Sequence, residues 1–288
     1  MKKSLLALAV LGAYAGVASA QSSVTIFGVV DLSVNNIKNG DLRTTSMQSN
    51  QLNSNRLGFR GFEDLGGGLG AGFWLEAGMA NEAGNINSPQ MFNRRSTVSL
   101  FSQAAGEVRL GRDYTPTFWN LAYFDVFGAN GIGNDTNMII AVSPNAPAVA
   151  NAATTGVRAN NTVGYHLPGN LGGFYGQGMY ALGQGNDANK YWGLRGGFAT
   201  GPFDVALAYG ETDTVTVDKW KVFNIGGSWN FGFMKLFALW NDQKFGNLKD
   251  DYWGIGASFP LGQGEFKLNY GQASDSGVSG TVNLNNAD

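Results

Sequence analysis

The feature that most limits this chain is a two-residue rhythm of apolar and polar side chains, repeated in separate runs along its whole length. Ala71, Phe73, Leu75 and Ala77 alternate with Gly72, Trp74, Glu76 and Gly78. Phe203, Val205, Leu207 and Tyr209 alternate with Asp204, Ala206, Ala208 and Gly210, and Phe266, Leu268 and Tyr270 with Glu265, Lys267 and Asn269. Side chains that change face at every residue belong to β-strands, so the rhythm predicts an all-β chain. Composition excludes several other classes. Charged residues are only 14%, against ~25% in soluble domains. The 43 glycines of the 288 residues show no three-residue period, which rules out a collagen helix. With no cysteine and the single histidine His166, there is no disulfide framework, thiolate metal site or two-histidine metal motif, and no cofactor is expected. A net charge of −2 gives no basic balance for nucleic acid.

Residues 1–20 read as an export signal rather than as part of the fold. Lys2 and Lys3 form a basic start, Leu5 to Val17 an apolar stretch, and Ala18-Ser19-Ala20 a small-residue cleavage site of the Sec type. The mature domain is then 21–288. Of the 19 basic residues it loses the two lysines, leaving 17 against 21 acidic ones, a charge of −4. Beyond residue 20 no stretch approaches the ~18 apolar residues of a membrane helix. An exported chain of mean hydropathy −0.12 is therefore secreted, periplasmic or a membrane β-barrel. Barrel strands average to neutral because lipid-facing and water-facing residues alternate.

Each run is about 9–11 residues long, enough for a tilted strand to cross a bilayer. One face is apolar and the other mixes Gly, Ser, Asn and charge. Aromatics near the run ends (Trp74, Tyr209, Trp220, Trp229, Trp240, Tyr252, Trp253 and Phe259) are expected to form interfacial girdles. Short turns at Asp64–Gly68, Ser102–Gly106, Pro168–Gly173, Thr200–Pro202 and Leu261–Gly264 alternate with longer polar stretches such as Val34–Asn53 and Ala80–Gln90. That is the outer-membrane pattern, with the short turns periplasmic. The reading is a transmembrane antiparallel β-barrel with thirteen strands, the eleventh (Phe233–Lys244) of ambiguous parity. An exported β-sandwich binding module or an adhesin shares the alternation and remains the alternative.

One connection is far longer than the rest. Residues 114–161 hold an aromatic cluster, with Trp119, Tyr123 and Phe127 at helical spacing. Such a cluster must pack on something, and the inside of a barrel wall is available. The segment is therefore expected to constrict the lumen, with Asn145–Asn161 as flexible loop. It carries Asp125 and Asp135, while alternation turns Arg56, Arg60, Arg94, Arg109, Arg195 and His166 inward. Arginines facing loop carboxylates would set up a transverse field that sorts solutes by charge.

Three segments resemble the general diffusion porins of Gram-negative outer membranes, especially those of β-proteobacteria. They are Ser23-Val24-Thr25-Ile26-Phe27-Gly28-Val29-Val30-Asp31, Arg56-Leu57-Gly58-Phe59-Arg60-Gly61-Phe62-Glu63-Asp64-Leu65-Gly66 and Leu110-Gly111-Arg112-Asp113-Tyr114-Thr115-Pro116. The resemblance implies a sixteen-stranded barrel and a homotrimer among outer-membrane lipid and lipopolysaccharide. It implies passive diffusion of ions and small hydrophilic solutes past an inward-folded third loop. It places eyelet arginines at Arg56 and Arg94, an acidic loop residue at Asp125, and His166 where a third wall arginine is often found. The other loop carboxylates of the family fall near Ala129 and Gly133, leaving Asp135 as a substitute. Two wall arginines predict a weak anion preference. The chain stops at Asn285-Asn286-Ala287-Asp288 without a closing aromatic strand, which reads as an incomplete barrel. An enzyme is not expected: there is no G-x-S-x-G, and Gly66–Gly72 lacks the lysine of a phosphate loop and leads into a strand.

Overall fold

The computed structural model describes residues 23–86, 88–139, 155–183, 190–214 and 218–276. The leader at 1–20, residues 140–154 of the long connection and the chain end from 277 lie outside the described residues. The strands are β1 (Ser23–Val29), β2 (Leu32–Asn39), β3 (Leu42–Ser49), β4 (Arg56–Gly66), β5 (Leu69–Ala80), β6 (Asn85–Ile86), β7 (Arg95–Ser102) and β8 (Gly106–Tyr114). They continue as β9 (Arg158–His166), β10 (Phe174–Ala181), β11 (Tyr191–Thr200), β12 (Phe203–Asp213), β13 (Lys219–Asn230), β14 (Lys235–Phe245), β15 (Leu248–Leu261) and β16 (Gly264–Ser276). Among the described residues two helices, α1 (Pro116–Phe124) and α2 (Thr136–Ile139), lie between β8 and β9.

The order β1-β4-β5-β7-β8 and then β9 to β16 in sequence forms one antiparallel meander, with β6 paired to β5 and the β2–β3 hairpin standing apart. The thirteen strands of this path are the thirteen expected. The β2–β3 hairpin and β6 fall in stretches that read as polar loop. In the hairpin, Asn35, Asn36, Thr44, Thr45 and Gln48 dilute both faces, so the apolar rhythm that marks the other strands is lost. Its base is locked by Asp31, whose carboxylate accepts from the Leu52 and Asn53 amides at 2.6 and 2.7 Å, and by buried Asn55, whose side chain bonds both backbone polar groups of Asp31.

The sheet is turned inside out relative to a soluble protein. Val24, Ile26, Leu194, Leu207, Ile255 and Leu268 are 66, 68, 57, 50, 54 and 52% exposed. On the opposite face Thr162, Asn224 and Asn241 are buried. Burying that outer face in a lipid bilayer satisfies the apolar side chains, and the strand ladders satisfy the backbone that lipid cannot. Among the described residues no helix is long and apolar enough to cross a membrane; the strands do so. Tyr209, Trp229, Trp240, Trp253 and Phe259 stand on the outer face as expected for girdles. Three others do not. Trp74 lies inside, donating to Glu76 at 2.9 Å; Trp220 is buried beside Val222; and Tyr252 is 1% exposed and donates to Asp135. They occupy the inward parity, so their aromatic character serves the lumen.

The sheet curls around its own long connection. Asn130 on that segment accepts from Ser54, just before β4, at 2.6 Å. Asn120 on α1 donates to Asn224 of β13 at 2.9 Å, and the Asn269 amide of β16 reaches the Gly133 carbonyl at 3.3 Å. One segment reaches from the approach to β4 across to β16, the last strand of the order, as a plug does within a barrel wall. Pro116 begins α1 at a position where its missing N–H costs nothing. The docked stripe of the helix is Thr117, Asn120, Leu121 and Phe124, while Trp119 and Tyr123 remain 37 and 47% exposed toward the lumen. The apolar cluster thus packs through Leu121, Phe124 and Val126, with Thr117 and Asn120 adding polar contacts, while the Trp119–Tyr123 stripe at helical spacing stays on the lumen side. Leu121, Phe124 and Ile139 form the core with Ala206, Leu239, Tyr252 and Ala273 of the wall. A Cβ at Gly226 would stand 2.4 Å from the Phe124 ring, so only glycine leaves room for it. Leu239 and Phe237 face this seat while Leu236 and Trp240 face lipid. With both faces apolar, the parity of β14 was not legible from the sequence.

Candidate functional site: the arginine wall and the inserted loop

Three arginines project from the inner wall around one tyrosine and one glutamate. Arg56 opens β4, Arg94 immediately precedes β7, and Arg158 opens β9. The Arg94 Nε donates to Glu76 at 2.5 Å and its Nη2 to the Tyr114 hydroxyl at 2.7 Å. Arg158 donates to the same hydroxyl at 2.8 Å and lies 4.3 Å from the Tyr114 ring. Arg56 lies 3.8 Å from Glu76 and donates to Asn53 at 2.8 Å. Three guanidiniums to one buried carboxylate leave a local excess of positive charge. Arginine cannot lose its proton at any working pH, so that excess is fixed. Facing them across a cavity of about 370 Å³ are Trp119, Ala122, Gly128, Ala129 and Asn130 of the loop. The loop tip turns sharply there: Gly128, Ala129 and Gly131 all have positive φ, and a Cβ at Gly131 would meet the Gln51 carbonyl at 2.2 Å.

The residues expected to line a constriction separate into several places. Arg56 and Arg94 stand together on the wall just described. Arg60 and Arg109 lie nearer the short-turn end: Arg60 rests beside the paired rings of Phe27 and Trp74, and Arg109 is held by Glu107 at 2.8 Å and Asp113 at 2.7 Å. Arg195 belongs to the seat of α1, donating to Asn120 at 3.0 Å beside the rings of Tyr123 and Tyr175. His166 is in register with Glu107 and Gln177 at the far end of β9. It is eight residues from Arg158, roughly 26 Å of strand. The third arginine of the wall is therefore Arg158 and not a position at His166. Arg158 falls within a stretch read as flexible loop. Extending the β9 run upstream of Thr162 would have reached it, but the left-handed Asn161 (φ 56°) and the register shift between Gly111 and Asp113 break the alternation there.

Asp125 and Asp135 do not face the arginines across water. Each is 3% exposed. Asp125 accepts from the amides of Phe127, Ala129 and Asp135 at 2.8, 2.9 and 3.2 Å. Asp135 accepts from the Tyr252 hydroxyl at 2.6 Å and from Asn269. Burial, with Asp135 close by, pushes the Asp125 carboxyl up to about 6; burial raises Asp135 as well. These carboxylates build the loop and pin it to β15 and β16.

A profile of the Gram-negative porins matches residues 7–288. The chain belongs to the Gram-negative porin family. Outer membrane porin protein 32 of Delftia acidovorans is 42% identical over 94% of this chain and 79% of its own length. An outer membrane porin protein of Bordetella pertussis is 31% identical over 85% and 71%. In three dimensions the chain resembles the anion-selective porin from Comamonas acidovorans with a TM-score of 0.79 and 35% identity, over 88% of this chain and 80% of that one. OmpF of Salmonella typhi, at 14% identity and a TM-score of 0.65 over 92% of this chain and 83% of that one, shares the fold. The protein is an outer-membrane porin, a β-barrel channel with a water-filled path along its inner wall.

Proposed function

We propose that this porin is a passive channel for ions and small hydrophilic solutes, with a weak preference for anions set at the gap between the arginine wall and the loop. The observation that carries the reading is the arrangement of Arg56, Arg94 and Arg158 on one wall. Opposite them, both loop carboxylates are taken up by hydrogen bonds, Asp125 by amides of the loop and Asp135 by Tyr252 and Asn269 of the wall. The field in the gap then comes from one side, and an anion gains from it where a cation loses. The similarity to a porin described as anion-selective supports the same sign. A relative solved in trimer form shares the fold, and a homotrimer is part of this proposal, set in outer-membrane lipid and lipopolysaccharide. Outward-facing Lys219, Lys221, Lys244 and Lys249, interleaved with Glu211, Asp213, Asp242 and Asp251, would meet the headgroups. Transit needs no chemistry on the solute, and the reading includes no enzyme activity. The test is the reversal potential of single channels in a KCl gradient: the anion sign is expected, and the cation sign would refute the preference.

A further inference from the structure

Arg60 and Arg109 have no part in the gap around Tyr114, yet both reach the lumen. Arg60 lies four residues along β4 from Arg56, about 13 Å nearer the short-turn end. Its guanidinium is 5.6 Å from the Phe27 ring and 5.4 Å from the Trp74 ring. Arg95 stacks on the same indole at 4.7 Å, and the two rings stand 4.8 Å apart. A cavity of about 460 Å³ opens beside them, its charged and polar lining including Thr25, Arg60, Arg95, Ser99 and Arg109 with one carboxylate, Glu107, which is neutralised by Arg109. Stacking holds a guanidinium by its face and leaves its in-plane N–H edge for an oxygen ligand. The neighbours differ in what they have left to offer. Arg109 is bound by Glu107 and Asp113, and Arg95 gives its Nε to Thr97 at 3.0 Å and lies 3.8 Å from Asp113. Arg60 lies against aromatic faces and is itself exposed, which leaves its N–H edge accessible from the lumen.

We propose that this shelf is a second anion station, on the short-turn side of the gap, that holds small oxyanions such as phosphate or a carboxylate before release. Arg60 supplies the principal edge and Arg95 a supporting one, with Trp74 as the platform for both. The proposal rests on the channel reading above. Two stations in series let an anion leave the gap for a nearby partner rather than for bulk water, which eases exit from the tighter site.

The experiment is phosphate block of single-channel KCl current, with inorganic phosphate added to one side at a time. In Arg60→Gln, half-block from the short-turn side is expected to need about fivefold more phosphate, the loss of a charge-assisted bidentate contact. Half-block from the opposite side should stay within about twofold, because that phosphate meets Arg94 first. Arg60→Lys, which keeps the charge and loses the fork, is expected to fall between. Equal half-block from both sides in wild type and Arg60→Gln would overturn the station while leaving the channel intact. A wild-type protein that passes no current would overturn the channel reading and the station with it.

Discussion

The two inner walls of this barrel do different work with different residues. On β10 to β15 the wall is mostly small and uncharged: Ala206, Ala208, Gly226 and Gly256 leave room, Asn224 bonds Asn120 of the helix, and the one arginine, Arg195, is used to hold Asn120. That wall is a mechanical seat for the loop. On β4 to β9 the wall is arginine, glutamate and tyrosine, with the loop tip meeting it through Asn130. That wall is electrostatic. One segment serves both, because its docked face is set by packing and its other face borders the gap.

The largest expected effect comes from breaking the seat. Gly226→Val would drive a side chain into Phe124 and displace α1, so single-channel conductance should change by at least about twofold; overpacked cores lose their fixed arrangement. Unchanged conductance would separate the helix from the path. Next is the arginine wall. Arg94→Gln and Arg158→Gln should each cut the chloride-over-potassium permeability ratio by roughly twofold to fivefold at about 0.1 M KCl, and by less at about 1 M, where charges are screened within about 3 Å. His166→Arg is expected to move the ratio far less than Arg158→Gln does, since it adds charge at the wrong end of β9. An equal effect would return the third wall arginine to that position.

A smaller effect concerns pH. The Asp125 carboxyl is raised to about 6, so the folded loop binds its proton more tightly than the unfolded chain does. Its contribution to loop stability is full below the ordinary carboxylate range and declines as pH rises through about 6. Resistance of the loop to limited proteolysis should therefore be greater at about pH 5 than at about pH 7.5, with Asp135 acting in the same direction. Asp125→Asn should flatten most of that dependence. A profile identical in the variant and the wild type would place the titration elsewhere.

The strand path was legible because lipid imposes a strict alternation on one face, and β5, β12 and β16 carry it without a break. The long connection was legible as a plug because Phe124 and Leu121 are too apolar for a surface loop. What escaped was set by tertiary contacts. Nothing local shows that Asp125 and Asp135 would turn to backbone amides and Tyr252 rather than to water. Arg158 was hidden by a bulge, and the hairpin at β2–β3 by its polar faces. The inward Trp74 reads as a girdle residue until the arginines stacked on it are seen.

The central claim is which face of the strands meets water, and the absence of cysteine makes it directly measurable. Single cysteines placed at Leu194, Leu207 and Ile255, and at Arg56, Arg94 and Arg158, would be treated with a charged, membrane-impermeant thiol reagent in liposome-inserted protein. Labelling of the three arginine positions, with a stepwise fall in current, and silence at the three apolar positions is the predicted result. Rapid labelling at Leu194, Leu207 and Ile255 with the arginine positions protected would contradict it.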